Sequence, residues 1–257
     1  MMNQKIILLA VDCDFTKMIY HALKKAYPNI EVIFEEPVSK GKLIRGRIKK
    51  LGVFKVLGQL IFQIGIYPFL KMRSEARIKT ILQTTGLSSE PIPLEVVHKI
   101  ESANDMKSID LIKYKAPALV IINGTRILSK EFVQTFHGRI INIHAGITPA
   151  YRGVHGAYWA LVNNDPENCG TTVHFVDSGI DTGNILAQAK IEIEQSDNFA
   201  TYPYLQFAKG INLLMDAVQK FFDGSLKVIP VRSERSALWF HPTFIEYFYN
   251  RKTKKVK

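Results

Sequence analysis

Apolar and polar positions fall into blocks that predict most of the elements. Ile6 to Val11 is an unbroken aliphatic run, the pattern of a strand buried on both faces. Phe15, Met18, Ile19, Ala22, Leu23 and Ala26 follow as a stripe at helical spacing, closed by Tyr27-Pro28-Asn29, and Ile30 to Phe34 reads as a second strand. A β-α-β opening predicts a right-handed crossover and a parallel sheet. After the break at Pro91-Ile92-Pro93, a short helix is predicted over Ser108 to Tyr114, strands over Ala118 to Ile122 and Ile140 to Ala145, and a helix over Val154 to Val162. Thr171 to Val176 and Asn184 to Ile193 read as neighbouring strands joined by the loop Ser178-Gly179-Ile180-Asp181-Thr182-Gly183. A long helix marked by Leu205, Ala208, Ile211, Met215, Val218 and Phe222 ends at Asp223-Gly224, and Val228 to Val231 reads as a last strand.

One segment breaks this rhythm. Leu51 to Leu70 carries a single charge, Lys55, in a length that invites a membrane-spanning reading. Against it, Lys55, Gln59 and Gln63 recur every four residues as one polar stripe, and Gly52, Gly58, Gly65 and Pro68 weaken a continuous helix. Cations flank it on both sides, from Arg45, Arg47, Lys49 and Lys50 to Lys71 and Arg73. Two readings follow: a basic amphipathic helix lying on an anionic membrane, or, the preferred one, a helical insertion packed on the body or on a second subunit with its charges solvated.

The charge sharpens this. Of the net +11 over 257 residues, Lys40 to Lys79 contributes +10 (11 basic residues against Glu75) and Arg251 to Lys257 contributes +5, which leaves −4 for everything else. The body is slightly acidic with two basic attachments, so no specific nucleic acid is expected. Hydrophobic residues at 47% exclude disorder as the main state. Cys13 and Cys169 are too few for a metal cluster or a disulfide framework, so no metal is expected and a reducing compartment is the default. The run Ile6 to Val11 is too short for a signal peptide. The expected location is the cytoplasm, with attachment at the inner face of the membrane as the variant that the basic segment allows.

The chemistry gathers around Asn142-Ile143-His144. On a strand Asn142 and His144 project to one face, while Ile141 and Ile143 anchor the other. Gly146 and Pro149 end that strand, so the polar pair sits at a carboxyl end, where open α/β sheets bind ligands. The first β-α turn, Val11-Asp12-Cys13-Asp14-Phe15-Thr16, has no glycine to approach a pyrophosphate, which disfavours a dinucleotide.

The ordered set Asn142-Ile143-His144, Pro149-Ala150-Tyr151-Arg152-Gly153, Gly170-Thr171-Thr172-Val173-His174-Phe175-Val176 and Asp181-Thr182-Gly183-Asn184-Ile185-Leu186 resembles the folate-dependent formyltransferase family over Ala118 to Ile193. The resemblance implies an α/β, Rossmann-like formyltransferase fold, a mostly parallel twisted sheet with helices on both faces, here with a basic helical insertion. It implies a catalytic domain over 1–196, with the insertion at about 40–79, and a C-terminal helix, short strand and aromatic and basic tail over 197–257. It implies 10-formyltetrahydrofolate as formyl donor and an amine as acceptor. Asn142 and His144 would donate hydrogen bonds to the tetrahedral oxyanion, and Asp181 would raise the pKa of His144 and relay protons. Thr125-Arg126-Ile127-Leu128 would hold the pterin by backbone groups, with Val176, Asp177 and Asp181 closing the other side; for Ile127 and Leu128, core packing is an equal alternative.

Lower-ranked candidates are Arg152 and His155, for the acceptor's phosphate or amine, and His174, as support for the site or as a plain structural histidine. Trp239, Phe240, Phe244, Tyr247, Phe248 and Tyr249 are expected to cap the core rather than stack on a base. Asp12 and Asp14 stand where glycinamide ribonucleotide enzymes hold a phosphate, Ala145-Gly146-Ile147-Thr148-Pro149 replaces the family's usual Pro-Ser-Leu-Leu-Pro, and the residues after Asp197 do not suggest the β-domain of methionyl-tRNA enzymes. The expected acceptor is therefore an amino-sugar nucleotide of surface-polysaccharide assembly. Another amine, including glycinamide ribonucleotide, is the first alternative, and a non-catalytic module that binds membrane or nucleic acid is the second.

Overall fold

The computed structural model describes residues 4–230 and 235–257. In chain order the elements are β1 (Ile6–Ala10), α1 (Asp14–Ala26), β2 (Ile30–Glu35), α2 (Lys40–Leu51), α3 (Val53–Ile61), a π-turn (Phe62–Ile66), α4 (Tyr67–Arg73), α5 (Glu75–Thr85), β3 (Val97–Ile100), α6 (Met106–Tyr114), β4 (Leu119–Asn123), α7 (Lys130–Thr135), β5 (Ile140–His144), β6 (Arg152–Gly153), α8 (Gly156–Val162), β7 (Gly170–Phe175), β8 (Ile185–Lys190), α9 (Tyr202–Asp223), β9 (Leu238–Trp239) and α10 (Phe244–Thr253). Seven strands form one sheet in the order β3-β2-β1-β4-β5-β7-β8, and β6 pairs with β9 apart from it. The first five of the seven are parallel, β7 runs antiparallel to β5, and β8 is antiparallel to β7.

Alternation along β1 divides the core into two layers. Ile6, Leu8 and Ala10 pack with α1 and with Ile211, Leu214 and Val218 of α9. Ile7 and Leu9 pack with Ile109 and Ile112 of α6 and Phe132 of α7. Helix α9 also lies on β5, β7 and β8, so it completes one layer of the fold, and Gly224 at φ 76 ends it where the sequence predicts. Local signals set other ends: the Ser129 hydroxyl accepts from the Phe132 amide at 3.1 Å to start α7, and Thr243 and Glu246 form a capping box that starts α10.

A third cluster joins the insertion to the C-terminal part of the chain. Phe62 and Leu70 pack with Tyr158 of α8, with Phe199 and with the fully buried Tyr247 of α10. Trp239 stacks on Tyr151 and Trp159, so capping of the core holds for Trp239 and Tyr247. It fails for Phe248 and Tyr249, which are exposed. The strand expected at Val228 to Val231 is not formed over Val228 to Pro230, where Ile229 makes a single backbone bond to Ile185 O at 2.9 Å; Val231 lies outside the described residues. Helix α8 starts at Gly156 rather than Val154, because His155 has a left-handed backbone, φ 60.

The insertion packs on the body, with the cations of α2 unburied and Arg77 drawn into an internal ion pair. Arg77 grips the buried Asp197 carboxylate through two bonds, at 2.9 and 3.0 Å, and holds it below the usual carboxylate range despite burial. Of the polar stripe, Gln59 is buried and donates to the His241 carbonyl at 2.6 Å, Lys55 pairs with Glu246 at 3.6 Å while half-exposed, and Gln63 accepts from Arg47 of α2 at 3.4 Å, within the insertion.

Candidate active site

Strand order reverses at β1, which continues to β2 on one side and β4 on the other, and clefts form outside carboxyl ends at such points. The register pairs Ala10 with Asn123 and Ile122 with Asn142, so polar residues at the ends of β4 and β5 stand side by side. They floor a cleft of about 740 Å3. One end is lined by residues 124–128 and by Val176, Asp177 and Ile180, and the other by Phe15, Arg47, Tyr67, His155 and Phe207.

Asn142, His144, His174 and Asp181 meet at its centre. His174 Nδ1 donates to the Phe175 carbonyl at 2.7 Å, so its Nε2 is the acceptor that faces Asn142 Nδ2 at 3.2 Å. This bond fixes the Asn142 amide with its nitrogen toward His174 and leaves the second N–H of that nitrogen for a ligand. His144 Nε2 donates to the Tyr151 carbonyl at 2.7 Å, and its Nδ1 faces Asp181 Oδ2 at 3.4 Å. The other Asp181 oxygen lies 3.7 Å from His174 Nε2.

Two glycines make this geometry possible. A Cβ on Gly146 would collide with the Tyr151 carbonyl and the His144 ring, so only glycine allows that carbonyl to reach His144. Gly153, at φ 93 with the Trp239 carbonyl against it, donates its N–H to Asp181 Oδ2 at 2.9 Å. Asp181 itself has φ 52, a left-handed conformation that Asp tolerates better than most residues.

Asp181 acts on His144 in the expected direction and pulls its pKa upward, but burial of the imidazole outweighs it, and the net direction is down from 6.5. Asp181 is held at about 2, chiefly by His144, His174 and the Gly153 amide acting against its burial. The pair rests as neutral imidazole and carboxylate. His144 Nδ1 is thus a vacant proton site with a carboxylate beside it. The expectation that His144 also donates to the oxyanion is not met in this conformation, because its Nε2–H is taken by Tyr151; the free N–H at the centre belongs to Asn142.

At the first end of the cleft, Ile127 is 63% exposed while Leu128 is buried in the core, which separates two neighbours the sequence left together. Arg126 turns its side chain away, with Nε paired to Glu35 at 2.6 Å and Nη2 donating to the Glu36 and Glu101 carbonyls. Even its backbone N–H is used by Glu35, at 2.9 Å. Thr125, Ile127 and Val176 keep their places on the wall. The Asp177 carboxylate shapes its own turn, accepting from the Gly179 amide at 2.9 Å and the Thr182 hydroxyl at 2.7 Å.

At the other end, the Arg152 guanidinium donates to the Ile180 carbonyl at 3.1 Å and so clamps the Asp181 loop. His155 does line the cleft, bonded to His241 at 2.8 Å. Burial lowers both rings, His241 to about 4 with Arg47 adding to the effect. Sequence reasoning missed Asn123, although it is the polar end of an apolar strand like Asn142; its amide donates to Thr16 Oγ1 at 2.8 Å. It also missed Arg47 and Tyr67, which the insertion contributes from far away in sequence.

Comparison with known proteins bears on the same region. Residues 78–216, more than half of the chain, match the formyl transferase family. The phosphoribosylglycinamide formyltransferase of Escherichia coli (strain K12) is 41% identical over 97 residues, 37% of this chain and 45% of that enzyme. A methionyl-tRNA formyltransferase of Thermodesulfovibrio yellowstonii is 32% identical over 143 residues, 56% of this chain and 46% of that enzyme. The chain thus matches less than half the length of these curated relatives. Among solved structures, a sugar N-formyltransferase from Shewanella sp FDAARGOS_354 has a TM-score of 0.56 at 16% identity, over 91% of this chain and 75% of that one. The phosphoribosylglycinamide formyltransferase of Streptococcus pneumoniae TIGR4 has a TM-score of 0.55 at 19% identity, over 85% and 99%. These two likenesses establish the fold.

Proposed function

This chain belongs to the formyl transferase family, and on that premise we propose that it transfers a formyl group from 10-formyltetrahydrofolate to the primary amine of an amino-sugar nucleotide. The observation that carries this reading is the centre of the cleft: an Asn142 amide oriented by His174, with one N–H free, beside a neutral His144 whose Nδ1 faces Asp181. The amine nitrogen attacks the formyl carbon, and the oxygen that becomes negative accepts from Asn142 Nδ2. The proton lost by the amine passes to His144 Nδ1, where Asp181 stabilises the imidazolium while Tyr151 holds the opposite N–H. Collapse breaks the bond between the carbon and N10 of the folate, and N10 receives that proton, so His144 ends as it began. Exposed Ile127 and half-buried Thr125 and Val176 suit an apolar slot for the pterin.

The acceptor end supports a phosphate-bearing amine. Arg47 is the cation there, while the β1–α1 turn is closed to an anion by its own acids and by Phe15, which stacks on Phe207 at 4.3 Å. Asp14 is already engaged by the Tyr204 hydroxyl at 3.0 Å and Lys71 at 3.6 Å. The 41% identity to the Escherichia coli enzyme favours glycinamide ribonucleotide as the second reading. Incubation with 10-formyltetrahydrofolate and a panel of amino-sugar nucleotides, glycinamide ribonucleotide and methionyl-tRNA separates them. A mass gain of one formyl group is expected on a sugar nucleotide; transfer only to one of the other two would overturn the choice of acceptor.

A further inference from the structure

The insertion carries apolar side chains on two faces: Val56, Phe62 and Leu70 are buried, and a second apolar stripe is left outside. Of its polar stripe, Gln59 is turned onto the body, where it meets His241, and half-exposed Lys55 reaches Glu246 of α10. Phe54, Leu57, Ile61 and Ile64 follow one another at intervals of three, four and three residues, a single stripe on a helix, and they face solvent, Phe54 91% and Ile64 75% exposed. A helix on a water-facing surface has the opposite arrangement. Beside it, α2 has six cations among its 12 residues, no acid and no buried residue. Helix α10, in contact with α3, turns Ile245, Phe248 and Tyr249 outward, and the cations of Arg251 to Lys257 begin in its last turn.

We propose that this face docks on an anionic phospholipid bilayer, with α3 and α4 lying in the interface plane. This goes beyond the chemistry proposed above and does not depend on it. Apolar side chains ringed by cations match acyl chains beneath anionic headgroups. The run Val53–Arg73 is long and apolar enough to cross a membrane, but spanning would strip Gln59 from His241 and Lys55 from Glu246 and leave those groups unpaired in hydrocarbon. Gly58 also sits against α10 so closely that a Cβ there would lie 2.9 Å from Thr243 Cβ, which ties the helix to the body along its inner face. A second copy of this chain is a poor occupant, because a two-fold contact would bring two segments of charge +10 together, and lysine is depleted from such interfaces. The same insertion supplies Arg47 and Tyr67 to the cleft, so docking and acceptor access share one structural element.

The test is co-sedimentation of the full chain with phosphatidylglycerol-containing vesicles and with pure phosphatidylcholine vesicles, at low and high salt. Binding is expected to require the anionic lipid and to weaken with salt. Phe54→Glu with Ile64→Glu should weaken it roughly tenfold or more, and Lys42→Gln with Lys49→Gln about fivefold for each charge removed, with thermal melting unchanged in both. No pelleting of the wild type with anionic vesicles would overturn the proposal, as would equal pelleting of wild type and both variants. A dimer by light scattering that Phe54→Glu with Ile64→Glu splits, in a protein that ignores vesicles, would assign the face to a second copy instead.

Discussion

Asp181→Asn isolates the charge that faces His144. The substitution keeps an oxygen for the Gly153 amide and removes one negative charge 3.4 Å from His144 Nδ1. At an effective dielectric of about 20 that charge is worth about 5 kcal/mol to an imidazolium, an upper bound; opposite charges at this range move a pKa by about 1 to 3 units. His144 must be neutral to accept a proton, so the acid limb of kcat/KM reports its pKa in the free enzyme. Burial already puts that value below 6.5, with Asp181 as the largest opposing influence. Without the charge the ring falls further. The acid limb should therefore move to lower pH by about 1 to 3 units, and the plateau should drop by a factor of about 10 to 1,000 as the imidazolium loses its partner. The assay is the pH–rate profile of formyl transfer. A lowered plateau with the acid limb in its original place would refute the coupling of Asp181 to His144, because a merely structural role leaves the pKa of the limb unmoved.

The other predictions follow from single contacts. Asn142→Ala removes the N–H that Asn142 Nδ2 leaves unbonded at the centre and should cost about 100-fold or more in kcat with little change in melting temperature; near-normal turnover would remove Asn142 from the mechanism. Ile127→Asp places a charge on the exposed apolar wall, so KM for the folate should rise roughly tenfold while kcat holds; a fall in kcat alone would place Ile127 outside the folate contact. His241 is held at about 4 against an ordinary 6.5, so over that interval the unfolded chain binds a proton that the folded chain refuses. Its contribution is fully present above 6.5 and is lost as pH falls toward 4, about 3 kcal/mol in all. Urea midpoints should therefore decline less steeply with acid in His241→Gln, and parallel declines would show that His241 does not titrate in this way.

The parts of the fold that were legible are those where one physical requirement acts alone. Strand β1 is aliphatic because both of its faces are buried, and the i, i+2 spacing of Asn142 and His144 gives a shared face. Strand β3 was not legible: Val97-His98-Lys99-Ile100 is an edge strand, and only Ile100 is buried. The identity of the central residues could be read, but their pairing could not. Whether His144 Nε2 is free depends on the Tyr151 carbonyl, which reaches it only because Gly146 has no side chain. Arg152 had the right chemistry for an anion, and its partner turned out to be a backbone carbonyl of the Asp181 loop. For the insertion, periodicity located the polar stripe but not its partners, Glu246 and His241, which lie some 180 residues away.

The central claim is that Asn142 and His144 carry formyl transfer in the cleft at the ends of β4 and β5. It is tested most directly by a single-turnover reaction with carbon-labelled 10-formyltetrahydrofolate, comparing the wild type with Asn142→Ala and His144→Ala. Label is expected in the formamide of the acceptor with the wild type and next to none with either variant. Equal transfer by all three proteins, or label recovered only as free formate with the wild type, would contradict it.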